Sequence, residues 1–192
     1  MSDVEAYNGK EAARRSAERG ASPFIMNEQI VELDAPGLSV LLYSPTALAD
    51  CRKGHCYVPW LPDGRDLVDH VNDCGLAAFG VRWAELRYFM HFSASLDHSV
   101  IARSSDHIRM GIRIEGGQLW VRGGEDLFRW DPSCPNEQIV SIADGLYDIT
   151  ACMVPYDASG YVEIFIGFAS ALAPPELGYA ELPELFCEAP VR

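Results

Sequence analysis

Basic residues are scarce in this chain, and several other marks of a named function are missing. Its 192 residues hold fifteen Lys and Arg against twenty-eight Asp and Glu, a formal net charge of −13. A direct nucleic-acid binder needs a basic footprint to neutralise phosphates. None forms here, because Arg82, Arg87, Arg103, Arg109, Arg113, Arg122 and Arg129 are interleaved with nearly as many acids. Long apolar runs are lacking too. No segment approaches the roughly twenty residues of a membrane-spanning helix, and the opening MSDVEAYNGKEAARRSAERG carries no apolar stretch of secretory type. The expected location is therefore the cytoplasm, with no membrane partner and no direct nucleic-acid partner.

Catalytic signatures are equally thin. EGGQLWVRGGED is glycine-rich but has neither a Walker lysine nor a G-x-G-x-x-G opening a helix, which leaves turns rather than a phosphate loop. No G-x-S-x-G marks a nucleophile elbow, and no C-x-x-C pairs define a zinc module. No cofactor is expected.

What the chain does have is β pattern. Hydrophobic residues make up 48% of it, enough for a sizeable core. In ELRYFMHFS, Leu86, Tyr88, Met90 and Phe92 fall on one face, with Arg87, Phe89 and His91 on the other. In HIRMGIRIE, Ile108, Met110, Ile112 and Ile114 share a face while Arg109 and Arg113 point away. A period of two is the strand signature. IMNEQIVELD and LSVLLYS around APG, LAAFGVRW, QLWVR after Gly116–Gly117, QIVSIADGLYDITACMVP around Asp144–Gly145, and YVEIFIGFA read as further strands, with the paired glycines and Asp144–Gly145 as hairpin signals. RDLVDHVNDCG fits a short helix with Gly75 as its stop. The fold expected is mainly β, an antiparallel sandwich or barrel-like domain with one or two short helices. Residues 1–22 form a polar arm or short helix, 23–172 a single β-rich domain, and 173–192 an acidic, proline-rich arm packed on it, pinned by Leu182, Leu185 and Phe186.

Two clusters invite a chemical reading. In CRKGHC, Cys51, His55 and Cys56 offer three zinc-type ligands, with Cys74 or His70 as a fourth. Arg52 and Lys53 would lower the Cys51 pKa and favour thiolate. The adjacency of His55 and Cys56 and the C-x4-C spacing argue against both uses and favour a surface loop whose cysteines tuck against the core. Between residues 93 and 107, Asp97–His98 and Asp106–His107 sit among Ser93, Ser95, Ser99, Ser104 and Ser105. These residue types make a catalytic triad only with the right geometry, and serine and aspartate in such loops are more often turn and capping groups. A small-ligand or metal-assisted enzyme using one of these clusters is the alternative reading.

Charge gives the leading one. Residues 131–192 hold ten acids and a single base. Asp148 and Glu163 alternate with Ile149 and Ile164 and so face away from the core, Asp144 and Asp157 sit at turns, and Glu176, Glu181 and Glu184 lie on the C-terminal arm. With so few cations nearby, local pairing cannot absorb these charges. The plain reading is a solvated acidic surface; the sharper one is a docking surface, with these charges for steering and Tyr147, Tyr156, Tyr161 and Tyr179 for anchoring.

The segments NEQIVSIADGLYDITACMVPYD and DLVDHVNDCGLAAFGVRW give the chain a layout that resembles small bacterial immunity proteins of effector–immunity systems. What that resemblance implies is a non-catalytic protein that protects its maker by occluding the active site of a cognate toxin. Such toxins are often basic nucleases, which an acidic inhibitor meets by imitating nucleic acid.

Overall fold

The computed structural model describes residues 28–34, 37–82, 86–104, 106–154 and 161–185. The polar N-terminal arm, Tyr156, Asp157 and Phe186 lie outside them. Among the described residues, ten strands form two five-stranded sheets. The first, sheet A, has the order β1 (Gln29–Asp34), β4 (Arg87–Ser93), β9 (Tyr161–Ser170), β8 (Gly145–Val154), β5 (Asp106–Ile114). The second, sheet B, has the order β10 (Glu184–Leu185), β3 (Ala77–Val81), β2 (Ser39–Tyr43), β6 (Gln118–Gly123), β7 (Ile139–Ser141). Two short helices, α1 (Leu67–Asn72) and α2 (His98–Arg103), flank the sandwich. Pairing is antiparallel except for β4 with β9 and β10 with β3. No helix of the described residues is long and apolar enough to cross a membrane.

Alternation decides which side of sheet A is buried. Val31, Met90, Ile164 and Met153 stand in register across β1, β4, β9 and β8, all 2% exposed or less. They face Val40, Leu42, Phe79, Leu119, Val121 and Val140 of sheet B, all fully buried. Each such side chain contributes about 1.5–3 kcal/mol by leaving water. Sheet B is covered on its other face as well. Leu41 and Tyr43 alternate with the inward Val40 and Leu42, yet they too are fully buried. Residues 44–66 and 124–130 supply the cover through Leu48, Tyr57, Leu61, Leu127 and Trp130, with the Trp130 ring 5.9 Å from Tyr43. Arg122, 5% exposed, is held there by Asp126 at 2.6 Å, by the carbonyls of Asp131 and Ser133, and by the Trp130 ring at 5.6 Å.

The expected hairpins are corners. Gly116 and Gly117 do turn with φ of 79° and 72°, but β5 belongs to sheet A and β6 to sheet B. Asp144–Gly145 likewise joins β7 of sheet B to β8 of sheet A, and β1 and β2, consecutive strands, belong to different sheets. Turn chemistry is local, whereas pairing is set by which faces are apolar. Here Ile114 and Leu119 both point inward, so the chain passes over the end of the sandwich. The two corners hold each other: Gly117 N–H donates to Asp144 Oδ1 at 2.6 Å, and Ile142 N–H donates to the Gly117 carbonyl.

The helix stop is also shifted. Cys74, not Gly75, takes the left-handed conformation (φ 59°), with Cys74 N–H donating to the Val71 carbonyl and Gly75 N–H to that of His70. This is a Schellman ending with a non-glycine residue at its strained position. The Cys74 carbonyl in turn accepts from Arg113 N–H and so caps the outer edge of β5.

After β9, Leu185 is buried in the core and Leu182 packs against it. Tyr179 adds to this, exchanging two hydrogen bonds with the Asn72 side chain and donating from its hydroxyl to the Arg109 carbonyl.

Candidate protein-binding face

With sheet B covered on both sides, the outward face of sheet A is the open β surface of the described residues. Alternation sends Ile30, Glu32 and Asp34 of β1 outward, together with Arg87, Phe89 and His91 of β4 and Tyr161, Glu163 and Phe165 of β9. The register turns these into three rows: Asp34–Arg87–Tyr161, Glu32–Phe89–Glu163 and Ile30–His91–Phe165. Phe89 meets Tyr161 edge to face with centroids 5.0 Å apart, and His91 stacks on Phe165 at 4.4 Å. Ile30 is 57% exposed, and the side chains of Glu32, Asp34 and Glu163 are 46%, 68% and 40% exposed. Arg87 bridges Glu32 at 3.0 Å and Asp34 at 2.7 Å, and the two carboxylates raise its already high pKa further. His91 Nε2 lies 3.6 Å from Glu163.

Toward β8 and β5 the same face is partly roofed. α2 and residues 94–97 leave a groove of about 350 Å³, lined by Ser95, Leu96, Ile101 and Thr150 and by the ion pair of Arg109 with Asp148.

The expected docking residues scatter around this geometry. Tyr161, Glu163 and Asp148 share the outward face. Tyr147 does not: it points inward, 3% exposed, and its hydroxyl donates to the Ala143 carbonyl at 2.8 Å, so its ring is core. Asp144 is tied to the corner at Gly117. Glu176 and Glu181 are exposed on the arm, and Glu184 is exposed on β10 at the edge of sheet B. Two of the acids of the last third are paired over long range. Asp131 bridges Lys53 at 2.8 Å and Asp148 pairs with Arg109, because the fold brings cations from far earlier in the chain. Phe89, His91, Phe165, Ile30, Glu32 and Asp34 were not singled out from sequence. Their signal was there: aromatic residues at outward positions of a half-buried strand, where polar residues are the rule.

CRKGHC is a loop over a cleft of about 590 Å³ lined by Asp50, Cys51, Arg52, His55, Tyr57 and Asp63. Cys51 is 6% exposed, while His55 and Cys56 are exposed. Among the described residues no group of three or more His, Cys, Asp or Glu is placed to hold a metal ion, so the proposed ligand set does not assemble. Cys51 is not activated by its basic neighbours: burial, with Asp50 and Asp63, pushes its thiol up to about 11, and Lys53 is engaged with Asp131. Both ring nitrogens of nearby His70 are engaged. Arg65 Nη2 donates to its Nδ1 at 3.2 Å, and its Nε2 donates to Asp63 at 3.2 Å.

The cluster at 93–107 is turn and cap chemistry. Asp97 accepts from Ser99 N–H at the start of α2, Asp106 from His107 N–H, and the Ser93 and Ser104 hydroxyls donate to backbone carbonyls. No triad geometry forms among these described groups.

Two solved structures are similar to this chain. One, described as Crocagin biosynthetic gene J, aligns with a TM-score of 0.46 and 14% identity over 74% of this chain and 98% of its own. The other, ComJ of Bacillus subtilis, an inhibitor of the DNA degrading activity of NucA, aligns with a TM-score of 0.48 and 11% identity over 78% of this chain and 100% of its own. No family model and no curated protein matches the chain.

Proposed function

We propose that this protein is a non-catalytic acidic binding protein that neutralises a basic toxin, of nuclease type, by covering its active site. The observation that carries the reading is the open face of sheet A, where aromatic rings stand between carboxylates on a molecule of net charge −13. Charge of that size steers a basic partner into encounter, and partly exposed rings supply the desolvated contacts that hold it. Asp144, Glu176, Glu181 and Glu184, away from the rings, act in steering, while Tyr161, Glu163 and Asp148 lie in contact.

The test is a pull-down from the native host with the full chain as bait, at low and then high salt. The captured protein is then assayed for nucleic-acid cleavage with and without the chain. The reading expects one basic partner, released by salt, whose cleavage stops when the chain is added. A partner that cleaves equally well in its presence, or no partner at either salt, overturns it.

A further inference from the structure

We infer that the partner docks on the outward face of β1, β4 and β9, and that this face takes arginine side chains of the partner over Phe89 and Tyr161 and beside Glu163. This rests on the reading above and adds which surface and which chemistry. Solvent-facing positions of a half-buried sheet are ordinarily polar. Here Phe89 sits in a row between Glu32 and Glu163, one strand away on each side, about 4.8 Å in the hydrogen-bonding direction. An aromatic ring flanked by carboxylates suits a guanidinium, which stacks on the ring while its planar fork pairs with a carboxylate. An ammonium satisfies the charge and not the fork.

The face has capacity left for such a guest. Glu32 and Asp34 share one guanidinium, that of Arg87, and Glu163 lies 3.6 Å from the His91 ring. Charge also selects among occupants: a second copy of this chain would bring another −13 to an acidic face, so a basic protein fits where a homodimer does not. Three rows over three strands span roughly 10 by 14 Å. That is the size of an interface centre, with the groove beside Asp148 continuing it toward the roughly 800 Å² one partner covers.

The experiment titrates the full-length, isotope-labelled chain with deca-arginine and with deca-lysine and follows backbone amide shifts. Deca-arginine is expected to move the amides of Glu32, Phe89, Tyr161 and Glu163 and to bind more tightly than deca-lysine. The variant Phe89→Leu/Glu163→Gln is expected to weaken deca-arginine roughly tenfold, about threefold for each of a ring contact and a charge contact. The variant Glu32→Gln/Glu163→Gln leaves the rings in place and tests the charges alone. Glu176→Gln/Glu181→Gln removes the same charge from the arm and is expected to change binding by no more than about twofold.

Shifts centred on the arm, equal affinity for the two peptides, or equal weakening by the arm variant overturns the inference. The host pull-down separates the two failures. A neutralised basic partner that binds the face variants as tightly as the wild type sinks the docking face and leaves the function. Arginine recognition at the face with no neutralised partner sinks the function alone.

Discussion

Gly111 is where three parts of the molecule meet. A Cβ built there would lie 2.2 Å from Cys74 Sγ and 2.8 Å from Pro175 Cδ, so β5, the end of α1 and the C-terminal arm close on one another only because residue 111 has no side chain. Gly111→Ala forces Cys74 and Pro175 apart. Overpacking of this kind costs about 1–3 kcal/mol, offset by about 0.4–1 kcal/mol from the stiffer unfolded chain. The net loss is roughly 1–2 kcal/mol, or about 3–6 °C in Tm for a domain of this size. Cys74→Gly is the informative companion. It relieves the left-handed backbone at φ 59°, worth about 1 kcal/mol, and gives up a buried thiol worth about as much, so alone it is close to neutral. In the double variant the sulfur is gone and only Pro175 still obstructs, so about half of the Gly111→Ala loss returns, a coupling of roughly 0.5–1 kcal/mol. Urea unfolding of the four proteins measures this directly. If Gly111→Ala unfolds within error of the wild type, or the two changes add with no coupling, the packing argument is wrong.

Other expectations follow from single contacts. Arg122→Met leaves the Asp131 and Ser133 carbonyls and Asp126 without their buried donor and is expected to cost about 2–4 kcal/mol, read by urea denaturation. Among the cysteines of the described residues, exposed Cys56 is expected to alkylate first at pH 8, since burial holds the Cys51 and Cys134 thiols up near about 11. Mass spectrometry of iodoacetamide-treated native protein gives the order, and early labelling of Cys51 would contradict it. Desolvation opposes ionisation of Asp63, but hydrogen bonds from the Arg65 backbone, from His70 and from the Arg65 side chain outweigh it and hold the carboxyl at about 2. A lowered folded-state pKa stabilises above the unfolded value and is lost as pH falls through the folded one. Asp63→Asn is therefore expected to flatten the stability profile between about pH 4 and about 2, measured as Tm against pH.

Most strands were legible because their alternation is a local property: Tyr88, Met90 and Phe92 read as inward in the sequence and are buried in the fold. The corners were not. Gly116–Gly117 and Asp144–Gly145 have turn chemistry that is the same whether the flanking strands pair or part, and only the distribution of apolar faces between two sheets decides. α2 was missed because six residues with one buried side chain, Val100, carry too short a pattern, although its cap, Asp97, lay in plain view. The proposed docking face was half legible. Glu163 and Tyr161 stood out within the acidic last third, but Glu32, Asp34 and Phe89 join them from strands far earlier in the chain, and no local window holds that juxtaposition. The same long-range pairing removed Asp148 from the free charges by giving it Arg109.

The central claim is neutralisation by binding, and one titration addresses it most directly. The partner recovered from the host is held at fixed concentration with plasmid DNA while the chain is added stepwise, at low and at high salt. The account predicts cleavage falling to zero at one chain per partner at low salt, with the endpoint moving to higher ratios as salt screens the acidic surface. Cleavage that persists at large excess of the chain, or inhibition indifferent to salt, would contradict it.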